Sequence, residues 1–513
     1  MSVAAAPAAK EEEHHIPVAL VVAVVMTAIL DILDITIVNV AMPHMLGAFG
    51  ATPDQITWVL TSYLIATAIV MPLTGFLSNL LGRRRLLMYA ISGFVVSSAL
   101  CGTAQSLEAM VVFRLMQGGC GAVLIPLAQA ILFDAFPSNQ RGQAMAVFGL
   151  GVMVAPVMGP PFGGWLTEVL GWRSVFYVNV PLGVVALLLA LGQLPRREIR
   201  RGYTDWTGLL LMAAAIGSLQ FVLDQGQSLD WFSSRWIQFF AAVAIVAGAA
   251  FLLRGWGRPN NIVDLALFRD RNFAAATLTI FAFGIGMFGT IALLPLLTQK
   301  LMGYPADTAG LLFMPRAIAS AITLALAGGL LVKIFDPRWL VGAGLLLAGA
   351  GTFFMAEYSL DVDAWALIWP GIIIGVGMGL FFVPLTTIAF DTIPKGKSDE
   401  AAGLFSVLRS IGASTGIAIV GWLLVRQSHV HWQELTAHAS PSNPAVYRYL
   451  ERAGLSLNDQ GAAPLLAREI ARQAQMLAFV DLFWFLSWAT LGVIVFVFLM
   501  QKPVNIGKDV HAH

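Results

Sequence analysis

Residues 17–42 read PVALVVAVVMTAILDILDITIVNVAM, an apolar run long enough to cross a membrane. Asp31 and Asp34 lie past the middle of this run, and no basic residue is near them in sequence. An ionised, unpaired carboxylate at that depth costs roughly 2.5–3.5 kcal/mol on insertion scales. Two carboxylates at i, i+3 also share a helix face and repel each other. The arrangement favours protonation of at least one of them near neutral pH, so proton coupling is the first hypothesis for this chain.

The composition of the whole chain is that of a membrane protein. Of its 513 residues, 58% are hydrophobic and 12% are charged, whereas a soluble protein carries about 25% charged residues. The net charge of +1, without a basic cluster, argues against nucleic-acid binding. Cys101 and Cys120 fall inside apolar spans, so a disulfide framework is not expected.

Fourteen stretches are each apolar and long enough to form a membrane-spanning helix. They lie near 17–42, 55–78, 86–105, 107–132, 142–167, 174–194, 206–224, 236–253, 272–299, 307–332, 339–357, 363–391, 400–425 and 476–501. Basic residues concentrate in alternate short loops, and by the positive-inside rule those loops and both termini lie in the cytoplasm. The sequence therefore predicts an all-α polytopic membrane protein.

The two halves of the chain resemble each other. Ile125-Pro126-Leu127 in the first half matches Val383-Pro384-Leu385 in the second, and each is followed by a Phe-Asp pair and a Gly-rich span. Duplicated bundles are the usual build of secondary transporters. We expect a disordered cytoplasmic tail over 1–16, a six-helix bundle over 17–194, a linker with two extra membrane helices over 195–271, a second six-helix bundle over 272–501 and a cytoplasmic tail over 502–513.

A long polar segment, 427–475, interrupts the second bundle and is expected to be a periplasmic loop. Its residues His429, His431 and His438 suggest a metal site as one alternative. Because their spacing is mixed and no Cys is nearby, a solvated loop without metal is the better interpretation.

A glycine-rich string links the second and third spans and contains Gly75, Gly82, Arg83 and Arg84. The arginines alone could be a positive-inside anchor, whereas the glycines and a degenerate copy around Gly329 favour a moving hinge between helices. The string resembles the loop motif of the major facilitator superfamily, in which an acidic residue usually occupies the place of Asn79.

Arg114-Leu115-Met116-Gln117-Gly118 resembles the fourth-span motif of the same superfamily. At 1.5 Å per residue, Arg114 and Asp34 both lie roughly 10–12 Å below the outer ends of their spans, so an ion pair is possible. That pair is either a permanent structural element or a device in which the arginine charge controls proton release from the carboxylate.

The fifth span contains Pro156, Gly159, Pro160 and Gly164. Small residues permit tight helix contact, and proline bends a helix. The pattern resembles the span-five motif of proton-driven drug exporters, although plain helix packing would also explain it.

Longer strings narrow the resemblance. Leu33–Pro43, Trp172–Gly183 and Asp205-Trp206-x-Gly208 resemble the fourteen-span drug:proton antiporters, and Gly217-Ser218-Leu219-Gln220 resembles the EmrB-type pumps among them. The resemblance covers nearly the whole chain. It implies a multidrug efflux antiporter, not an enzyme, that confers antibiotic resistance and binds hydrophobic drugs, protons and membrane lipid. It also implies a tripartite pump with a periplasmic adaptor and an outer-membrane channel.

The sequence has no Walker-type phosphate loop, so ATP is not the energy source, and no cofactor is expected.

A cavity for varied drugs should be apolar, aromatic and rich in methionine. The candidate substrate-binding residues are Asn39, Gln129, Phe283, Met287, Phe288, Phe313, Met314, Met378, Phe381 and Phe382. For each aromatic residue, core or lipid packing is the alternative. Arg316 and Arg409, also near mid-membrane, either line an anion path or pair internally.

Two rival functions stay open at this point. A proton-coupled importer or lipid flippase would share the fold. A membrane receptor that transports nothing would not require acids buried in the first span.

Overall fold

The computed structural model describes residues 18–137, 140–193, 205–255, 262–394, 396–439, 443–456 and 458–502. Within these ranges the chain is helical with short connections and contains no β-strand. The tails expected at 1–16 and 502–513 lie outside the described residues except for Lys502, and so does the start of the linker, 195–204.

Fourteen helices form the membrane part of the described chain. They are α1 (Val18–Phe49), α2 (Asp54–Leu81), α3 (Arg83–Thr103), α4 (Leu107–Ala135), α5 (Arg141–Leu170), α6 (Ser174–Gly192), α7 (Trp206–Gln225), α8 (Arg235–Gly255), α9 (Arg271–Leu301), α10 (Thr308–Ile334), α11 (Pro337–Met355), α12 (Ala364–Asp391), α13 (Ser398–His438) and α14 (Ala462–Val497). Thirteen of them are single spans. The fourteenth, α5, consists of two segments with a bend of 40° between them. Each corresponds to one of the predicted spans, so the all-α polytopic architecture is confirmed.

The helices pack as two bundles with the same internal pairing. In the first bundle, α1 packs on α5 and α6, α4 packs on α2 and α3, and α3 packs on α6. In the second, α9 packs on α13 and α14, α12 packs on α10 and α11, and α11 packs on α14. The repeat seen in the sequence is therefore also a repeat of helix contacts.

The extra helices α7 and α8 form a hairpin beside the two bundles. Helix α7 packs on α2 of the first bundle and on α13 of the second. Its polar side chains make these contacts: Gln220 donates to Ser414 of α13 at 3.0 Å, and Gln225 donates to Thr61 of α2 at 2.9 Å. Thr61 in turn donates to Asp224. Hydrogen bonds inside the apolar layer thus attach the hairpin to both bundles.

The polar segment 427–475 differs from the predicted loop, because most of it is helical. Helix α13 continues to His438, a short helix follows at Pro444–Arg452, and α14 begins at Ala462. The 41 residues of α13 extend over roughly 62 Å, about twice the thickness of a bilayer core. Its sequence has no Gly or Pro between Gln427 and Ser440, so polarity there marks exposure to water and not the end of the helix.

Candidate functional site

An ion pair lies in the interior of the first bundle. Nη1 of Arg114 is 2.5 Å from Oδ2 of Asp34, and both side chains are fully buried. Arg114 also donates from Nε to the carbonyl of Val59 at 3.0 Å and from Nη1 to the side chain of Gln117 at 2.7 Å. The guanidinium is therefore held from several directions.

The other oxygen of Asp34 is equally occupied. Its Oδ1 accepts hydrogen bonds from Nε2 of Gln117 at 2.8 Å and from Nδ2 of Asn179 at 2.7 Å. Asn179 is fully buried on α6, and it also donates to Ser98 of α3. With Arg114, three donors thus point at one carboxylate, and a proton added to Asp34 would have to compete with one of them.

Asp31 lies one turn earlier on α1 and has a different environment. Its Oδ1 accepts a hydrogen bond from the hydroxyl of Tyr63 on α2, and the side chain is 2% exposed. The ring of Tyr63 lies under Arg114, with 4.2 Å between the guanidinium carbon and the ring centroid. Arg409, on α13 of the second bundle, acts electrostatically on Asp31 across the interface. Asp31 therefore has one short-range donor and one cation that belongs to the opposite bundle.

Sequence reasoning placed Asp31, Asp34 and Arg114 in this region but missed Tyr63, Gln117 and Asn179 as their partners. Gln117 and Asn179 lie within the strings that carry the family resemblance. A polar residue in an apolar span was therefore the available signal, but the sequence does not give the rotation of each helix.

A second polar cluster joins the bundles at the ends of α2, α3, α4 and α13. Nε of Arg83 is 2.7 Å from both oxygens of Asp399, and Nη2 is 2.6 Å from Oδ2 of Asp134. Ser398 donates to Asp134 at 2.7 Å, and Ser78 donates to Asp399 at 2.5 Å. The Arg83 cluster, as we call these five residues, links one arginine of the first bundle to an acid from each bundle.

Gly75 lies beside this cluster, where α2 approaches α13 too closely for any side chain. A Cβ at Gly75 would lie 2.0 Å from Cγ and 2.6 Å from Cα of Glu400. Asn79 donates to Oε1 of Glu400 at 2.9 Å. The acids that the superfamily motif would place within the loop are supplied here by α13. Sequence reasoning did not single out Asp399 or Glu400.

The remaining residues of the glycine-rich string shape the turn itself. Gly82 has φ 81° between α2 and α3, a conformation that favours glycine. Arg84 donates to the carbonyl of Leu191 at 2.5 Å and so contacts α6. In the degenerate copy, Arg338 instead pairs with Asp336 at 2.7 Å. Partial burial of Asp336 opposes its ionisation, but hydrogen bonds from Arg338 hold the pKa of Asp336 below its usual value. The copy therefore lacks the contact between bundles that Arg83 makes.

The glycines and prolines of α5 fall where this helix bends and meets α1. A Cβ at Gly159 would lie 2.1 Å from Oγ1 of Thr36, whereas one at Gly164 would make only an ordinary contact with Val40. Pro156 and Pro160 are exposed, and the 40° bend follows Pro156. Gly159 is thus required for close packing of α1 on α5.

The candidate substrate-binding residues do not share one surface. Gln129, Phe283, Met287 and Phe381 are buried in the bundles; Phe288, Phe313, Met378 and Phe382 are half-buried; Asn39 and Met314 are exposed. The rings of Phe283 and Phe381 stack with 3.9 Å between centroids. Four of the candidates, Phe283, Met287, Met378 and Phe381, come together near Arg316.

Arg316 of α10 contacts two of these methionines. Its Nη2 lies 3.6 Å from Sδ of Met287 on α9 and 3.8 Å from Sδ of Met378 on α12. No carboxylate among the described residues forms an ion pair with Arg316. Of the two alternatives left open for this arginine, internal pairing with an acid is thus not seen in the described part of the chain.

Comparison with known proteins identifies the class. The family model of the Major Facilitator Superfamily matches residues 24–417. Two solved structures share the fold, each with a TM-score of 0.60: the human organic anion transporter TETRAN, at 16% identity, and the proton:xylose symporter XylE, at 14% identity. Each alignment covers 94% of this chain, and the alignments cover 100% and 95% of those chains. The chain belongs to the major facilitator superfamily.

Similar proteins show which kind of major facilitator transporter this chain is. The chain is 35% identical to the multidrug export protein EmrB of Escherichia coli (strain K12), over 96% of each chain. It is also 35% identical to the fatty acid resistance protein FarB of Neisseria gonorrhoeae, over 95% of this chain and 96% of that protein. The colistin resistance protein EmrB of Acinetobacter baumannii is 28% identical, over 93% of this chain and 94% of that protein. This similarity makes the chain an EmrB-type multidrug efflux transporter, a multi-pass protein of the inner membrane and not an enzyme.

Proposed function

We propose that this transporter exports hydrophobic and amphipathic drugs in exchange for protons by alternating access. The observation that carries the proposal is the pair of acids on α1, which differ in their partners. Asp34 is held by Arg114, Gln117 and Asn179, whereas Tyr63 is the one hydrogen-bond partner that the described residues give Asp31. One carboxylate is thus built into the bundle, and the other can change its charge without disrupting it.

The sequence offered Asp34, controlled by Arg114, as a group that releases the proton, but these contacts favour Asp31 for that role. Asp31 takes the proton, while the Arg114–Asp34 pair fixes the position of α1 relative to α2 and α4. Removing one partner of a buried ion pair costs about 3–5 kcal/mol, so the pair is unsuited to repeated opening.

The second bundle supplies the link between protonation and movement. Arg409 acts on Asp31 from α13, which also carries Asp399 and Glu400 of the interface. A neutral Asp31 attracts Arg409 less strongly than a charged one, so a proton on Asp31 weakens the attraction between the bundles. That change favours the transition between outward-facing and inward-facing states.

The conformation supports an outward-facing assignment. Arg83, Asp134 and Asp399 meet at one end of the molecule, where Gly142 of α5 also approaches Gly328 of α10. With both termini in the cytoplasm, as the loop charges indicate, this closed end is the cytoplasmic one. The drug would then leave, and the proton would enter, from the opposite side.

The proton gradient is sufficient for this work. One elementary charge moving inward contributes about 2.3 kcal/mol per 100 mV. Since about 1.4 kcal/mol corresponds to a tenfold ratio, one proton supports a drug gradient of roughly fiftyfold at that voltage.

The drug site would lie between the bundles, near Arg316 and the predicted residues grouped with it, Phe283, Met287, Met378 and Phe381. The predicted residues that are half-buried or exposed elsewhere are candidates for the rest of its wall: Asn39, Phe288, Phe313, Met314 and Phe382. The names of the relatives, multidrug export and fatty acid resistance proteins, support apolar and amphipathic substrates. The flexible thioethers of Met314 and Met378 suit ligands of varied shape.

The outer end of α13, together with the helix Pro444–Arg452 that follows it, is the proposed docking surface for a periplasmic adaptor and, through it, an outer-membrane channel. It extends well beyond the membrane and is fixed to α14, because His431 lies 2.7 Å from Asp481 and Gln427 donates to the same carboxylate at 3.1 Å. A rigid projection of this kind offers a partner a defined surface.

The test is transport by the purified protein in liposomes with an imposed pH gradient. Antiport predicts that ethidium and protons cross the membrane in opposite directions. It also predicts that an ethidium gradient drives proton movement when no pH gradient is imposed. Movement of both in the same direction would indicate an importer, and no coupled flux would indicate a receptor.

A further inference from the structure

Arg316 is a partly buried cation whose contacts in the described part of the chain do not compensate its charge. It lies eight residues into α10, roughly 12 Å from the outer end of this helix, and thus within the apolar layer. A guanidinium at that depth is expensive unless an anion or water accompanies it. Its neighbours are two thioether sulfurs, which are weak acceptors.

The arginine of the first bundle shows how a guanidinium is paired with an acid in this fold. Arg114 has an acid, an amide and a backbone carbonyl as acceptors, and it is 0% exposed. Arg316 has no corresponding acid among the described residues, and its side chain is not fully buried. The missing counter-charge is thus specific to the second bundle.

The surroundings of Arg316 form a layered apolar site. Met287 of α9 and Met378 of α12 flank the guanidinium. Phe283, one turn before Met287 on α9, and Phe381, one turn after Met378 on α12, stack on each other beneath the methionines. A cation above an aromatic and thioether lining fits a ligand with one charged end and an apolar body.

We propose that Arg316 binds the carboxylate of an amphipathic organic acid, whose apolar part packs on Met287, Met378 and the Phe283–Phe381 stack. A guanidinium matches a carboxylate with two parallel hydrogen bonds, which lysine cannot reproduce. This inference rests on the proposed export function and names its substrate class. Lipophilic cations would be repelled by Arg316 and would have to bind elsewhere in the space between the bundles.

The charge of such a substrate changes the energetics of exchange. When a monoanion leaves as one proton enters, two charges move in the favourable direction for each cycle, compared with one for a neutral drug. Voltage therefore drives anion export twice as strongly, and a potential of 100 mV contributes roughly fiftyfold for each of the two charges.

The experiment compares 1-pyrenebutyrate with its uncharged amide, using the full-length protein in liposomes. The variants are Arg316→Gln, Arg316→Lys and, as a matched control, Arg426→Gln, which removes a cation from an exposed position on α13. Binding is followed by pyrene fluorescence, transport by flux under a valinomycin-imposed potassium potential, and folding by thermal unfolding.

We expect Arg316→Gln to weaken pyrenebutyrate binding at least tenfold and to leave amide binding within about twofold. Arg316→Lys should lie between the wild type and Arg316→Gln, and Arg426→Gln should match the wild type. Equal weakening of both ligands, or no weakening of either, would overturn the inference. If the wild type moves the amide in exchange for protons but shows no Arg316-dependent preference, only this inference fails. If it moves neither ligand, the export function fails.

Discussion

Tyr63 donates a hydrogen bond from its hydroxyl to Asp31 while its ring lies 4.2 Å below the guanidinium of Arg114. One side chain of α2 thus contacts both charged groups that the proposed mechanism separates. The hydroxyl belongs to the acid that is proposed to take the proton, and the ring belongs to the fixed ion pair. This division of roles gives different expectations for substitutions only one turn apart.

Asp34→Asn is expected to destabilise the protein before it affects coupling. The substitution leaves Arg114 buried without its carboxylate, and breaking a buried pair costs about 3–5 kcal/mol. Thermal unfolding in detergent should show a clear loss relative to the wild type, and the double variant Asp34→Asn with Arg114→Gln should recover part of it. A single variant as stable as the wild type would show that the pair is not a structural element.

Tyr63→Phe is expected to impair proton-driven drug export while leaving the fold intact. The ring remains under Arg114, whereas Asp31 loses its hydrogen-bond donor, an interaction with a charged group worth about 1.5–3 kcal/mol. Tyr63→Leu removes both contacts and should lower the unfolding temperature as well. Equal behaviour of the two variants in transport and unfolding assays would contradict the separate roles of hydroxyl and ring.

Gly75→Ala is expected to prevent closure at the Arg83 cluster. Its Cβ would collide with the backbone of Glu400, which cannot move without displacing α13. We expect a cysteine at Val407, buried where α13 meets Met71 and Ala122, to react with maleimide in this variant but not in the parent. The parent would carry Cys101→Ala and Cys120→Ala.

Gly119→Ala is the matched control, because nothing lies within 4 Å of a Cβ at that position of α4. It should leave Val407→Cys unreactive. Equal labelling in the Gly75 and Gly119 variants would mean that contact at Gly75 does not hold the closed state.

Tyr447→Ala is expected to weaken drug resistance in cells without changing transport in liposomes. Tyr447 is 51% exposed on the helix Pro444–Arg452, which packs through Val446 and Leu450 on Ala462. Loss of an exposed aromatic side chain should reduce adaptor binding but not stability. Equal losses in cells and in liposomes would place Tyr447 in transport itself, and no loss in either would remove it from the docking surface.

The spans could be predicted from sequence because apolar length alone determines them. The ion pair of Arg114 with Asp34 could also be anticipated, since depth along a helix follows from residue count. Helix rotation does not follow in this way. The residue types of Phe283 and Phe381 made them candidates for a drug cavity, but the sequence could not show that their rings stack on each other.

Contacts between distant parts of the chain were also beyond the sequence. Asp399 is separated from Arg83 by most of the chain, and residue type alone does not pair the two. The extension of α13 was missed for another reason. Polar residues were interpreted as a loop, whereas a helix that leaves the membrane has to become polar to enter water.

Drug-induced proton release from the purified protein in lightly buffered detergent tests the central claim most directly. The account predicts that the wild type releases protons when ethidium is added, that Asp31→Asn binds ethidium but releases none, and that folded Asp34→Asn protein still releases them. Undiminished release from Asp31→Asn, together with its loss from well-folded Asp34→Asn, would contradict the account and assign the proton to the ion pair.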